Sequence, residues 1–259
     1  MRPALLAAIA LVVVTAASAG PARPLVVAHR GGALLWPENT LTAFRGALAL
    51  GADLVELDVH LARDGEVVVI HDATLDRTTS DTGPVADRTG AELAAVGVPR
   101  LREVLELLSG SGAGLLLEIK VGIRGVRYPG IEEKVLGLLA RAGLTDRTTV
   151  MAFEWDTVER LRVLSSSVRL TGLLSRRGAE LLGGVPVAAS RLAKLGANDL
   201  GIERTLLSPE AVKAARAAGL TIGVWTVNEP EELRAALAAG VDYVTTDRPD
   251  LALQLRGRP

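Results

Sequence analysis

The sequence predicts a (β/α)8 TIM-type barrel carrying a small insertion after the second strand. Three observations support this fold class. From Leu25 onward, short runs rich in β-branched residues alternate with longer Ala/Leu/Arg segments of helical period. Eight such runs fit between residues 24 and 257 without a repeat, low-complexity tract or interdomain linker. Polar and charged residues fall at the ends of these runs, where a barrel gathers its chemistry. A doubly wound open sheet shows the same alternation and is the alternative architecture.

The predicted strands are Leu25–His29, Leu54–Val59, Leu115–Lys120, Thr149–Phe153, Arg169–Leu174, Asn198–Ile202, Thr221–Val227 and Tyr243–Thr246. Helical patterns between them include Thr40–Leu50, Arg100–Leu108, Ile131–Ala142, Asp156–Leu164, Pro209–Ala218 and Glu229–Ala239. Gly51, Gly143, Gly219 and Gly240 each follow a helical pattern, where a C-terminal cap belongs. One stretch breaks the rhythm. Glu66–Ile70 reads as an extra strand joined to the second by an Arg63-Asp64-Gly65 turn. His71 to Gly97 is polar and turn-rich, and reads as a long loop at the barrel mouth.

Composition narrows the function. The chain has 259 residues, 49% hydrophobic, with a formal net charge of -1 and no basic block, which argues against a nucleic-acid surface. The absence of cysteine excludes disulfides and thiolate metal sites. Residues 1–19 read as a cleaved export signal: a positive start at Met1-Arg2, an apolar run from Ala4 to Val14, and small residues ending at Ala19. The run is shorter than the roughly 20 residues that span a bilayer. The mature domain, residues 24–257, is therefore expected to be exported, with no stable membrane insertion.

The strand ends carry a consistent set. The first ends in His29-Arg30. In the second, alternation places Glu56 and Asp58 on one face, and the third ends in Glu118-Ile119-Lys120. Three carboxylates in apolar strands need more positive charge than one neighbouring side chain supplies. A hard divalent cation meets that need, and an all-oxygen set favours Ca²⁺ or Mg²⁺ over zinc. Lys120, beside Glu118, and Arg30 suit an anionic substrate. His29 and His71 sit just past apolar runs, placed to act as general base and general acid. His60 follows the carboxylates in the same parity and reads as a structural polar residue. Trp225, at a strand end, can form an apolar wall at the mouth, while Trp36 and Trp155 are weaker candidates for its rim.

Taken in order, these residues resemble the glycerophosphodiester phosphodiesterase family from about Leu25 to Leu253. The matching motifs are His29-Arg30-Gly31 with Pro37-Glu38-Asn39-Thr40, Glu56-Leu57-Asp58-Val59, and Val69-Ile70-His71-Asp72 with Leu75-Asp76-Arg77-Thr78. Val98-Pro99-Arg100-Leu101, Leu117-Glu118-Ile119-Lys120, Trp225-Thr226-Val227-Asn228 and Thr246-Asp247-Arg248-Pro249 complete the set. The resemblance implies hydrolysis of a small glycerophosphodiester to sn-glycerol 3-phosphate and an alcohol. It implies His29 and His71 as the acid–base pair, and Glu56, Asp58 and Glu118 as ligands of a divalent metal. Arg30 and Lys120 would contact the phosphate, and Trp225 the glycerol. Two departures stand out: a short Leu93–Pro99 connection, and Ala152 where relatives often have serine. Rival expectations are a lysophospholipase D-like or phosphoinositide-cleaving enzyme, and a non-catalytic barrel that binds glycerol phosphates.

Overall fold

The computed structural model describes residues 23–257, so the proposed export signal lies outside the described residues. The elements in chain order are β1 (Leu25–Ala28), α1 (Leu41–Leu50), β2 (Leu54–Leu61), β3 (Val67–Val69), α2 (Gly90–Ala95), α3 (Leu101–Ser109), β4 (Gly114–Ile119) and α4 (Ile131–Ala142). They continue with β5 (Thr148–Ala152), α5 (Trp155–Leu164), β6 (Arg169–Leu174), α6 (Arg176–Leu182), α7 (Val185–Lys194), β7 (Asp199–Glu203) and α8 (Pro209–Ala217). β8 (Thr221–Trp225), α9 (Pro230–Ala238), β9 (Tyr243–Thr246) and α10 (Pro249–Arg256) are the last of the described elements.

Among the described residues, eight of the nine strands pair in parallel in the order β1-β9-β8-β7-β6-β5-β4-β2, and β1 also pairs with β2. That last pairing closes the sheet into a barrel and rules out the open doubly wound alternative. β3 lies antiparallel on the outer end of β2, with Val59 opposite Val69 and Leu61 opposite Val67.

Period-two alternation sorts the strand side chains. Val55, Leu57 and Val59 of β2 and Leu115, Leu117 and Ile119 of β4 belong to the large apolar layer shared with the helices. A smaller cluster of Val27, Leu116, Met151, Leu173 and Tyr243 belongs to the opposite parity and fills the barrel interior. Gly201 and Gly223 make room there: a Cβ on Gly223 would lie 1.8 Å from the Tyr243 ring. The same parity turns Glu56, Asp58 and Glu118 inward.

The long segment after β3 differs from the expected loop. It contains α2, started by a capping box in which Thr89 accepts from the Glu92 amide and Glu92 accepts from the Thr89 amide. Ala62, Val68, Ile70, Leu75, Val85, Leu93 and Val98 form a separate apolar cluster beneath it. The insertion thus has its own small core. Strand limits also shift: β1 stops at Ala28, β2 runs on to Leu61, and β8 stops at Trp225. Helices α6, α7 and α10 fall outside the predicted set. Gly183-Gly184, with φ of 87° and 102°, breaks the period between α6 and α7.

Candidate active site

β1 delivers its end residues through a tight turn. His29–Gly31 form a single 3-10 turn in which Arg30 has φ 50° and Gly31 φ 83°. A Cβ on Gly31 would lie 2.7 Å from Ala43 Cβ, so the turn packs directly on α1. The turn points the Arg30 amide at Glu56, donating to Oε2 at 2.7 Å. His29 Nε2 lies 4.0 Å from the same oxygen.

The three acids converge as the alternation predicts. Asp58 and Glu118 are register partners on adjacent strands β2 and β4, and Glu56 is two residues before Asp58 on the same face. Each of the three places an oxygen within 4.8 Å of the others, and all are buried. Two cations from the chain face them. Lys120 Nζ donates to Glu118 Oε1 at 2.7 Å and sits 3.4 Å from Asp58 Oδ1, and Arg30 Nε is 3.4 Å from Asp58 Oδ2. Asn39 Nδ2 also donates to Asp58 Oδ2 at 2.9 Å. Asp58 Oδ1 is buried without a hydrogen-bond donor of good geometry. Burial, together with Asp58 and Glu118, pushes the Glu56 carboxyl up to about 8. Burial alone would raise Asp58 too, but Lys120, His71 and Arg30 outweigh it and hold that carboxyl low. Three acids face two cations of the chain, so the third carboxyl is offset only by a proton retained on Glu56, and the donors are all oxygen. The set therefore fits a hard divalent cation.

Both predicted histidines reach this pocket, and each is held the same way. His29 Nδ1 donates to Asp247 Oδ1 at 2.6 Å, and His71 Nδ1 donates to Asp72 Oδ1 at 2.6 Å. In the neutral ring this fixes the tautomer whose Nε2 carries the lone pair. Asp247 is in turn fixed by Asn228, whose Nδ2 donates to Oδ2 at 2.7 Å. Burial lowers the basicity of both rings. For His29, Glu56 and Asp247 outweigh it and the pKa rises. For His71, burial joined by Lys120 and Arg30 outweighs Asp58 and Asp72, and the pKa falls.

The cavity between them, about 190 Å³, is lined on one side by His29, Arg30, Glu56, His71, Glu118 and Lys120. Its other side is apolar: Met151, Phe153, Leu173, Trp225 and Tyr243. Trp225 and Phe153 meet edge to face at 5.3 Å, and the Trp225 indole donates to the Gly201 carbonyl at 3.1 Å. Every predicted site residue is thus at one barrel end. Trp36 and Trp155 do not line this cavity. Trp36 packs against Gly46 of α1, and Trp155 Nε1 donates to the Leu173 carbonyl. His60 is buried and structural, bonded to Tyr128 and to the His71 carbonyl.

Sequence reasoning gave no role to Asp247, Asp72, Asn39, Glu38, Arg77 or Asn228, although all six lie in the quoted motifs. The available signal was positional: an aspartate directly after a strand-end threonine or directly after a strand-end histidine.

Residues 29–251 match the model of the glycerophosphoryl diester phosphodiesterase family. A glycerophosphodiester phosphodiesterase from Caldanaerobacter subterraneus subsp. tengcongensis is 34% identical, covering 90% of this chain and 98% of that one. A crystal structure from Agrobacterium tumefaciens C58 superposes with a TM-score of 0.85 at 30% identity, over 90% of this chain and 97% of that chain. A phosphodiesterase from Oleispira antarctica, solved with the product sn-glycerol-3-phosphate, gives a TM-score of 0.77 at 26% identity, covering 90% and 96%. The chain therefore shares the barrel fold of these proteins and belongs to the glycerophosphoryl diester phosphodiesterase family.

Proposed function

We propose that this protein is a metal-dependent phosphodiesterase that hydrolyses glycerophosphodiesters to sn-glycerol 3-phosphate and an alcohol. The observation behind this reading is the pairing of two carboxylate-held histidines with a buried acidic triad around one small cavity. A phosphodiester fits that cavity: its charge meets Arg30 and Lys120, and its glycerol carbons meet Trp225 and Phe153.

Glu56, Asp58 and Glu118 would hold the cation, Ca²⁺ or Mg²⁺. When bound, it would offset charge on the phosphoryl oxygens and on Glu56, easing the hold of that carboxylate on the His29 proton. Arg30 and Lys120 stabilise the charge that builds on the remaining phosphoryl oxygens. His29, through Nε2, takes the proton from the attacking oxygen. Asp247 holds the ring in the accepting tautomer and stabilises the imidazolium that results. His71 acts as the imidazolium: its Nε2–H gives its proton to the departing alkoxide, leaving the neutral Nδ1–H ring, with Asp72 in the corresponding supporting position. The attacking oxygen is that of water or of the substrate's own glycerol hydroxyl, and both routes use the same two histidines. The sequence of residues 1–19 supports export, so the enzyme is proposed to act outside the cytoplasm.

His29→Ala and His71→Ala test the assignment. Each should lose about 10²–10⁴-fold in kcat for glycerol 3-phosphate release while keeping its melting temperature. Near-normal turnover in either folded variant removes that histidine from the chemistry.

A further inference from the structure

The insertion sends one charged side chain to the barrel mouth that the mechanism above leaves unused. Arg77 stands in the segment after β3, and its guanidinium spans two carboxylates. Nη1 and Nη2 donate to Glu38 Oε2 and Oε1 at 2.8 and 2.7 Å, a bidentate pair. Nε donates to Asp72 Oδ2 at 2.6 Å. Each carboxylate has a second engagement inside the site. Glu38 Oε1 accepts from Arg30 Nη1 at 3.0 Å, and Asp72 Oδ1 accepts from His71 Nδ1 at 2.6 Å.

We propose that Arg77 is a positioning residue that fixes both the phosphate-facing Arg30, through Glu38, and the acid His71, through Asp72. The insertion then carries this guanidinium as well as His71 and Asp72, and its separate apolar cluster holds the segment in place. The role rests on the phosphodiesterase reading given above. The geometry explains why a guanidinium stands here. Its planar fork satisfies one carboxylate with two parallel bonds and still leaves Nε for the other. A lysine ammonium is a single point of charge on a flexible stem and cannot keep both carboxylates in these orientations. Glu38 needs such a partner: partial burial opposes its ionisation, and Arg77 with Arg30 outweighs that cost.

The test compares wild type with Arg77→Ala, Arg77→Lys and Arg88→Ala. Arg88 is also in the insertion but pairs with Asp81. Three quantities are read: the ¹⁵N imidazole spectrum of His71, the affinity for sn-glycerol 3-phosphate, and kcat and KM on glycerophosphocholine. Arg77→Ala should cost about 10–100-fold in kcat, the range seen when a supporting partner of a site ligand is removed. It should also weaken product binding and move the His71 ring away from the single Nδ1–H tautomer. Arg77→Lys should restore only part of each, and Arg88→Ala should leave all three unchanged. Asp72→Asn with Arg77→Ala should lose less in kcat than the two single losses combined, because the two share the His71 branch and only the Arg30 branch is left to add. An additive double variant, an equal loss in Arg88→Ala, or weakened product binding with an unmoved imidazole spectrum would overturn the proposal. The spectrum requires no turnover. A wild-type protein inactive on every glycerophosphodiester would sink the functional reading and still leave Arg77 judged by the His71 ring.

Discussion

Asp247→Asn should damage this enzyme more than Asp247→Ala, although asparagine preserves the shape. Both oxygens of Asp247 accept: Oδ1 from His29 Nδ1 at 2.6 Å and Oδ2 from Asn228 Nδ2 at 2.7 Å. Asn228 cannot turn its amide round, because its Oδ1 accepts from the Asp247 amide at 2.9 Å and from Thr246 Oγ1 at 3.3 Å. An asparagine at 247 has one oxygen for two donors. Facing that oxygen to Asn228 puts its NH₂ against His29 Nδ1, and the ring satisfies it only by moving its proton to Nε2. The lone pair that should take the substrate proton is then gone. Simple loss of a charge-assisted hydrogen bond, as in Asp247→Ala, is worth about 1.5–3 kcal/mol, or roughly 10- to 150-fold in rate. An inverted tautomer costs more, on the order of 10⁴-fold in an equivalent His–Asp arrangement. The assay is kcat for glycerol 3-phosphate release, with melting temperatures to confirm folding and ¹⁵N imidazole shifts to read the tautomer. A folded Asp247→Asn as active as Asp247→Ala would refute this hydrogen-bond logic.

Two further outcomes follow from the barrel and the triad. The Glu56 carboxyl is raised from 4.5 to about 8, so the cation-free folded state gains stability from its bound proton at low pH. That stability is lost as pH rises through about 8. The cation-free melting temperature should fall across this window, and Ca²⁺ or Mg²⁺ should bind more tightly and restore it as the competing proton leaves. Pairs of melting curves with and without cation check both, and a cation effect independent of pH would contradict them. Gly223→Ala places a methyl 1.8 Å from the Tyr243 ring, and overpacking of this kind costs about 1–3 kcal/mol. That corresponds to a drop of roughly 2–12 °C in melting temperature, and an unchanged value would mean that the ring does not occupy the barrel interior as described.

Much of the site was legible because strand parity does so much of the work. Once β2 and β4 are recognised, alternation alone turns Glu56, Asp58 and Glu118 inward, and the resulting triad is as expected. The apolar runs before His29 and His71 placed both histidines at the mouth. What stayed hidden depends on long-range contacts. No local spacing joins His29 to Asp247 across the β1–β9 pair, or Arg77 to Glu38 across the insertion. Lys120 shows the same limit: parity put it beside Glu118, but its shared contact with Asp58 follows from the register of two strands. The helix α2 was short enough for its polar surroundings to mask it, although Thr89-Gly90-Ala91-Glu92 carries the spacing of a capping box.

The most direct measurement is sn-glycerol 3-phosphate release from glycerophosphocholine by the purified protein, first treated with chelator and then given Ca²⁺ or Mg²⁺. Release should stop with chelator and return with at least one of the two cations, and Glu118→Gln should blunt that return. Release that continues unchanged in chelator would contradict a metal held by Glu56, Asp58 and Glu118.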